Sequence, residues 1–396
     1  MNARERILTT LEHEEPDKIP YHENLIQNPG LAKRLNLGKE LNSNMDQYLA
    51  FMGRIKKVPN LINKLINKIV KRPGALSFVV KKVIRNYFDF YTYLGVDLGV
   101  FPIGPYSYFK YIPPNKLINE FGAIYELKTI GGTFGNYYIG GAIQSEEIYD
   151  KFPKLDSEQL LGLMMFKAIK KKVDKEQKIY VVPGIFNGLF DSISLALGIE
   201  YFSKVLIKNQ SFLKKIISDR EKFFLELIKK ALDETNSEIF MIGDDLAYNS
   251  GPFISPRFFN KLFLPSYKRI SKAVHKRGAK LIFHSDGDIR PLMTGIIECF
   301  DSIHPLQASA NIDIFEFKEQ YGDKICLEGN VPIEMLVHGK IKEIKEYVKK
   351  LIKICGPNGG YILSSGNSIV PEIPYINYYT MLSTFKKYRN YPIKVI

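Results

Sequence analysis

The stretch Leu281-Ile-Phe-His-Ser-Asp-Gly287 is a short apolar run that ends abruptly in polar residues. Its length and the bounding Gly278 and Gly287 predict a buried β-strand rather than a helix. Such a strand delivers His284 and Asp286 at its C-terminal tip. Residues two apart on a strand share a face, so both can reach one cavity. Both are metal-ligand and acid–base residue types. The same pattern also suits a hydrogen-bonded core histidine followed by a helix-capping aspartate.

Similar tips recur along the chain. Candidate strands lie at 18–24, 95–102, 179–187, 238–245, 281–287, 302–307, 324–330 and 360–367, eight in all. Helix-like segments such as 202–234, 255–276 and 341–354 separate most of the later ones. Apolar strands alternating with helices indicate parallel βαβ units, and eight of them predict a (β/α)8 TIM-type barrel. In that fold the active site lies at the C-terminal strand ends. His22, Asn24, Asn187, Asp245, His284, His304, Glu328 and Asn367 all fall at or near those ends and form the candidate site. Asp244, beside Asp245, reads as a core or capping residue.

A chain of 396 residues with 45% hydrophobic content can bury a sizeable core, and it exceeds the usual barrel length. The excess falls early, which predicts N-terminal helical and hairpin insertions or lid elements at 25–94 and 103–178 within a single barrel domain. Gly131-Gly132 and Gly135-Asn136 among aromatic residues point to a β-hairpin in the second insertion. Cys299, Cys326 and Cys355 match no zinc-ribbon or disulfide spacing, which suits a reducing cytoplasm. The first residues read as an amphipathic helix without a signal-peptide core, and no apolar run is long enough to span a bilayer.

The net charge of +14 is uneven: residues 47–88 carry ten Lys/Arg and no Asp or Glu, leaving only +4 for the rest. Leu61, Leu65, Ile66 and Ile69 recur there at helical spacing. The segment reads as an amphipathic helix with a basic face. Such a face suits solvation on a lid, an acidic protein partner, or an anionic surface. Without aromatic interleaving or a nucleic-acid motif, nucleic acid is not the expected partner.

Several blocks resemble the uroporphyrinogen decarboxylase superfamily over nearly the full length. Arg4-Glu-Arg-Ile-Leu8 and Leu11-Glu-His-Glu-Glu-Pro-Asp-Lys-Ile-Pro20 are similar to its opening signature. Ile242-Gly-Asp-Asp-Leu-Ala247, Gly251-Pro-Phe-Ile-Ser-Pro-Arg-Phe-Phe259 and Leu264-Pro265 resemble its central block. His284-Ser-Asp-Gly287 stands where relatives carry His-x-Cys-Gly, and Leu327-Glu-Gly-Asn-Val-Pro332 resembles a late Gly-Asn segment. Leu363-Ser-Ser-Gly-Asn-Ser-Ile-Val-Pro371 lies where relatives have Gly-Cys-x-x-Pro or Gly-His-Gly-x-x-Pro. The resemblance independently implies the (β/α)8 barrel.

Departures from that pattern separate two chemistries. Heme-pathway decarboxylases need arginines near the first strand, whereas Tyr21-His-Glu-Asn-Leu-Ile-Gln-Asn-Pro29 has none. Their second strand ends in a catalytic Asp, but Phe101-Pro-Ile-Gly104 has no carboxylate, and an expected tyrosine falls at Ser194. The other branch resembles corrinoid-dependent methyltransferases, in which zinc activates a small methyl donor or acceptor and a partner protein carries the cobalamin. Carried over by residue, His284 matches the zinc histidine, Asp286 replaces the first cysteine and Asn367 the second. The resemblance thus implies a harder N/O zinc site with His284, Asp286 and, as further options, Glu328, Glu23 or His22. A metal-free pocket using the same groups for substrate is the alternative. The implied function is a cytoplasmic methyltransferase-like enzyme acting on a small methylated substrate with a corrinoid protein partner, in a fold that often forms homodimers. Asp245 would orient substrate or a ligand. Its rivals are a divergent decarboxylase or lyase with His284 as proton donor, and an inactive barrel serving as a binding subunit.

Overall fold

The computed structural model describes residues 1–26, 28, 31, 88–104, 110–130, 133–157 and 160–395. Its centre is a curled parallel sheet of seven strands in sequential order. These are β1 (Leu98–Pro102), β2 (Tyr180–Phe186), β3 (Ile239–Gly243), β4 (Lys280–His284), β5 (Ser302–His304), β6 (Cys326–Val331) and β7 (Tyr361–Ser365). They read as near-continuous apolar runs because both faces are covered, as in β3, where all five residues are buried. Five fall within stretches expected from the sequence, and β4 and β6 overrun theirs by one residue, at Lys280 and Val331.

The expected strand at 18–24 is reduced to isolated bridges. Tyr21 bridges Leu363 of β7 and His22 bridges Leu98 of β1, both in parallel. The His22 amide donates to the Leu363 carbonyl at 3.0 Å, and the Asp97 amide donates to the Tyr21 carbonyl at 2.7 Å. The segment therefore joins the two edges of the sheet. Pro20 lacks an amide hydrogen, which interrupts a regular ladder at this point.

Two apolar layers separate by strand parity. Leu98, Val182, Met241, Ile282, Cys326 and Ile362 form an inner cluster with Ala3, Ile7 and Leu11 of helix α1 (Ala3–Leu11). Helix α1 thus plugs one end of the curled sheet, held at its start by a capping box between Asn2 and Glu5. The alternate residues, including Leu281, Phe283, Ile303, Leu327 and Leu363, join the larger cluster between sheet and helices. That layer includes α2 (Asp191–Leu197), α3 (Gln210–Thr235), α4 (Leu264–His275), α5 (Ile341–Cys355) and α6 (Tyr375–Tyr388). Because side chains alternate along a strand, positions two beyond the inner cluster face the same interior. Those positions are Gly243, His284, Glu328 and Ser364. The register aligns His284 with Gly243 on one side and with His304 on the other.

Between β1 and β2 the chain forms an antiparallel meander of Lys110–Ile112, Lys116–Ile118, Ala123–Ile130 and Thr133–Gly141. Its last two strands pair as the expected hairpin. Asn119 Oδ1 accepts the amides of Phe121, Gly122 and Ala123 at 3.1, 3.0 and 2.9 Å, fixing the preceding turn. The meander docks on α2, where Tyr138 Oη donates to the Leu195 carbonyl at 3.0 Å. The basic segment 47–88 lies, apart from Phe88, outside the described residues.

Candidate active site

The polar ends of β3 and β4 converge on one spot. Ligand atoms of Asp245, His284 and Asp286 all lie within 4.8 Å of one another. His284 Nε2 stands 4.0 Å from Asp245 Oδ1, and that oxygen accepts the Asp286 amide at 2.9 Å. Asn367 Nδ2 donates to Asp286 Oδ2 at 3.0 Å. The other Asp286 oxygen, Oδ1, is buried and has no hydrogen-bond partner. An uncompensated carboxylate oxygen of this kind is costly unless a proton or cation occupies it. Burial pushes the Asp286 carboxyl above its ordinary pKa, with Asp245 adding to the rise and His284 opposing it.

The turn after β4 makes this convergence possible. Gly287 has φ +84°, and a Cβ there would meet the Ala247 carbonyl carbon and oxygen at 2.5 Å. Only glycine accommodates both the conformation and the close approach. Ser285 holds the turn from below, accepting the Leu246 amide on Oγ at 3.0 Å.

More carboxylates stand behind the first three. Asp244 accepts the amides of Phe190 and Asp191 at 2.9 and 2.7 Å and the hydroxyl of Tyr267. It therefore ties the start of α2 to β3, the capping role expected of it. Asp191 Oδ2 accepts the Asp245 amide at 3.0 Å. Burial raises the Asp244 carboxyl to about 6 despite its donors. Burial also raises Asp191 well above the usual range, with Asp244, Asp245 and Asp286 adding to it. So dense a set of carboxylates favours a cation or shared protons.

A chain of imidazoles runs inward from His284. His284 Nδ1 and His304 Nδ1 lie 2.7 Å apart, and His304 Nε2 is 3.1 Å from Ser364 Oγ. His304 also packs on His22, with ring centroids 4.8 Å apart. His22 Nδ1 meets Glu328 Oε2 at 2.7 Å, while Ser302 Oγ donates to Glu328 Oε1 at 2.6 Å. His22 and Glu328 are completely buried, and His22 Nε2 has no hydrogen-bond partner. Glu23 lies beside this chain, accepting from Tyr21 Oη at 2.8 Å and from Ser365 Oγ at 2.6 Å.

Residues 136–388 match the family described as Uroporphyrinogen decarboxylase (URO-D). The chain belongs to the uroporphyrinogen decarboxylase family. A uroporphyrinogen decarboxylase of Pseudoalteromonas translucida (strain TAC 125) is 27% identical over 239 residues, which are 56% of this chain and 63% of that protein. One from Chlorobaculum tepidum is 23% identical over 184 residues, 43% of this chain and 50% of that protein. The match therefore spans less than two thirds of either relative. A methyltransferase from Methanosarcina mazei shares the fold at a TM-score of 0.65 and 15% identity, with 98% of this chain and 99% of that one covered. No helix among the described residues is long and apolar enough to cross a membrane.

Within this family member the expected site residues divide into two groups. His284, Asp286, Asp245 and Asn367 converge at the strand tips, and His304, His22 and Glu328 form the inner chain. The side chains of Asn24 and Asn187 make no hydrogen bond to either group; Asn187 adopts a positive φ of 80° at the end of β2. Three of these residues make contacts that the sequence did not anticipate. The two oxygens of Glu328 meet His22 and Ser302 within the interior. Asn367, which stands where the resemblance has a second cysteine, donates to Asp286 Oδ2. Asp245, expected to orient substrate or a ligand, lies with His284 and Asp286 in a group whose spacing suits a metal ion. Sequence reading missed Asp191 and Ser364. Asp191 follows the β2 tip at Asn187 by four residues, which was a usable signal. Ser364 could have been found by its alternation with inward-facing Ile362.

Proposed function

We propose that this chain is a methyltransferase-like enzyme that moves a methyl group between a small substrate and a corrinoid carried by a partner protein. The fold is read as a (β/α)8 barrel closed by the segment 18–24, in one domain with insertions at 25–94 and 103–178. The observation that carries the metal part is the close grouping of Asp245, His284 and Asp286, in which Asp286 Oδ1 is buried and unpartnered. The donor set of one imidazole and two carboxylates fits zinc. His284, Asp286 and Asp245 would hold it, and a bound zinc would supply Lewis acidity that lowers the pKa of a substrate heteroatom.

The protein's own groups supply the rest. Asn367 fixes the rotation of Asp286 through Oδ2 and leaves Oδ1 without a partner. Asp191 holds the Asp245 backbone, so the β3 and β4 tips keep their spacing. The surrounding carboxylates disfavour anionic substrates, which agrees with the missing arginines near Tyr21 and argues against a polycarboxylate porphyrinogen. The decarboxylase reading keeps the support of both curated relatives' names, and it would use His284 as a proton donor.

One assay separates the two readings. Purified protein is mixed with free methylcobalamin and a panel of small thiols and amines, and in parallel with uroporphyrinogen. The methyltransferase reading predicts loss of the methylcobalamin absorbance at a rate proportional to enzyme, with uroporphyrinogen unchanged. Enzyme-dependent conversion of uroporphyrinogen would contradict it.

A further inference from the structure

The hydrogen bonds around His304 determine where its proton sits. Ser364 Oγ donates to the Ser365 carbonyl at 2.9 Å, which uses its one hydrogen. With that hydrogen on the Ser365 carbonyl, the contact of 3.1 Å between His304 Nε2 and Ser364 Oγ has the imidazole as donor. His304 is 2% exposed, and neither ring nitrogen meets a carboxylate, so a cationic ring would be buried without compensation. A neutral His304 protonated on Nε2 has a lone pair on Nδ1. At 2.7 Å from His284 Nδ1, that lone pair requires a proton on the His284 nitrogen. The remaining His284 nitrogen, Nε2, is the one nearest Asp245, at 4.0 Å, too far for a hydrogen bond.

We propose that His304 is a positioning residue that locks His284 in the Nδ1–H tautomer, leaving the Nε2 lone pair open toward Asp245 and Asp286. The order of donors runs from His284 Nδ1–H to His304 Nδ1, then from His304 Nε2–H to Ser364 Oγ, and from the Ser364 hydroxyl to the Ser365 carbonyl. A free imidazole would sample both tautomers, and only one presents a lone pair at the strand tip. The assignment of the proton rests on this geometry alone. Its consequence for metal binding rests on the zinc reading above.

Nitrogen-15 NMR of histidine-labelled protein tests it directly, since the chain has only 6 histidines and the variants H284A and H304F assign the two signals. In the wild type, His284 should show a protonated Nδ1 and unprotonated Nε2, and His304 the reverse. Removing the acceptor in S364A should shift the His304 signals toward a tautomer mixture, and His284 should follow. Zinc competition titration should show about ten- to a hundredfold weaker binding in H304F, the usual loss when a group orienting a metal histidine is removed. A wild-type spectrum with His284 protonated on Nε2 overturns the proposal, as does equal zinc affinity in wild type and H304F. If the tautomers are as assigned but zinc does not bind the wild type, the tautomer assignment is upheld and the zinc reading fails.

Discussion

Glu23 illustrates how strongly single residues are set by their surroundings. It is 1% exposed and accepts hydrogen bonds from Tyr21 and Ser365, yet burial raises its pKa from 4.5 to about 7. Between those values the folded state holds a proton that the unfolded state has released, so stability falls as pH rises through this window. At pH 8 the carboxylate is charged in both states and the folded state bears the burial cost, up to about 3 kcal/mol. Glu23→Gln keeps the shape, and its amide can donate to Ser365 Oγ, whose hydrogen then serves the Asn367 carbonyl alone at 2.6 Å. Chemical denaturation from pH 4.5 to 8 should show a smaller decline in the variant than in the wild type. Identical slopes would mean that Glu23 is not the group responsible. That Glu23 is buried follows from strand pairing at Tyr21 and His22, which residue type alone does not reveal.

At the scale of elements, the turn that follows β4 determines whether the ligand groups meet. Gly287 combines φ +84° with backbone atoms of Ala247 and Tyr248 at 2.5 to 2.7 Å from a would-be Cβ. Gly287→Ala must therefore displace this turn or the strand tip at Ala247. A loss of about 1–3 kcal/mol in stability, measured by thermal unfolding, should accompany weaker zinc binding. Unaltered stability and zinc affinity would show that the turn is not what holds the site. Most strands were legible because each is a short apolar run punctuated by glycine or polar residues. The tips at Asp245, His284 and Glu328 could be placed because alternation ties them to apolar neighbours. What could not be read was the pairing of one strand with another. His284 meets His304 because β4 and β5 lie side by side in a particular register, and Glu328 turns away to His22 for the same reason. The first expected strand, at 18–24, is present only as isolated bridges, because Pro20 interrupts the ladder where the segment meets both sheet edges.

For the whole molecule, the curled sheet divides labour between its two ends. Helix α1 closes one end with Ala3, Ile7 and Leu11 against the inner cluster, and the polar tips gather at the other. The family signature was legible because its motifs occupy strand tips and turns, where the backbone dictates residue type. The departures from it, Asp286 for cysteine and Asn367 for a second ligand, became interpretable only when the fold brought Asp245 alongside them. The proposed function requires this cluster to be a metal centre. Zinc content of protein purified without added metal, measured by elemental analysis for the wild type, H284A and D286A, tests it most directly. A metal centre here predicts about one zinc per chain in the wild type, at least about a hundredfold weaker zinc binding in each variant, and nearly unchanged melting temperature. Wild-type protein that takes up no zinc even when it is supplied, or variants that bind it as tightly as the wild type, would contradict the claim.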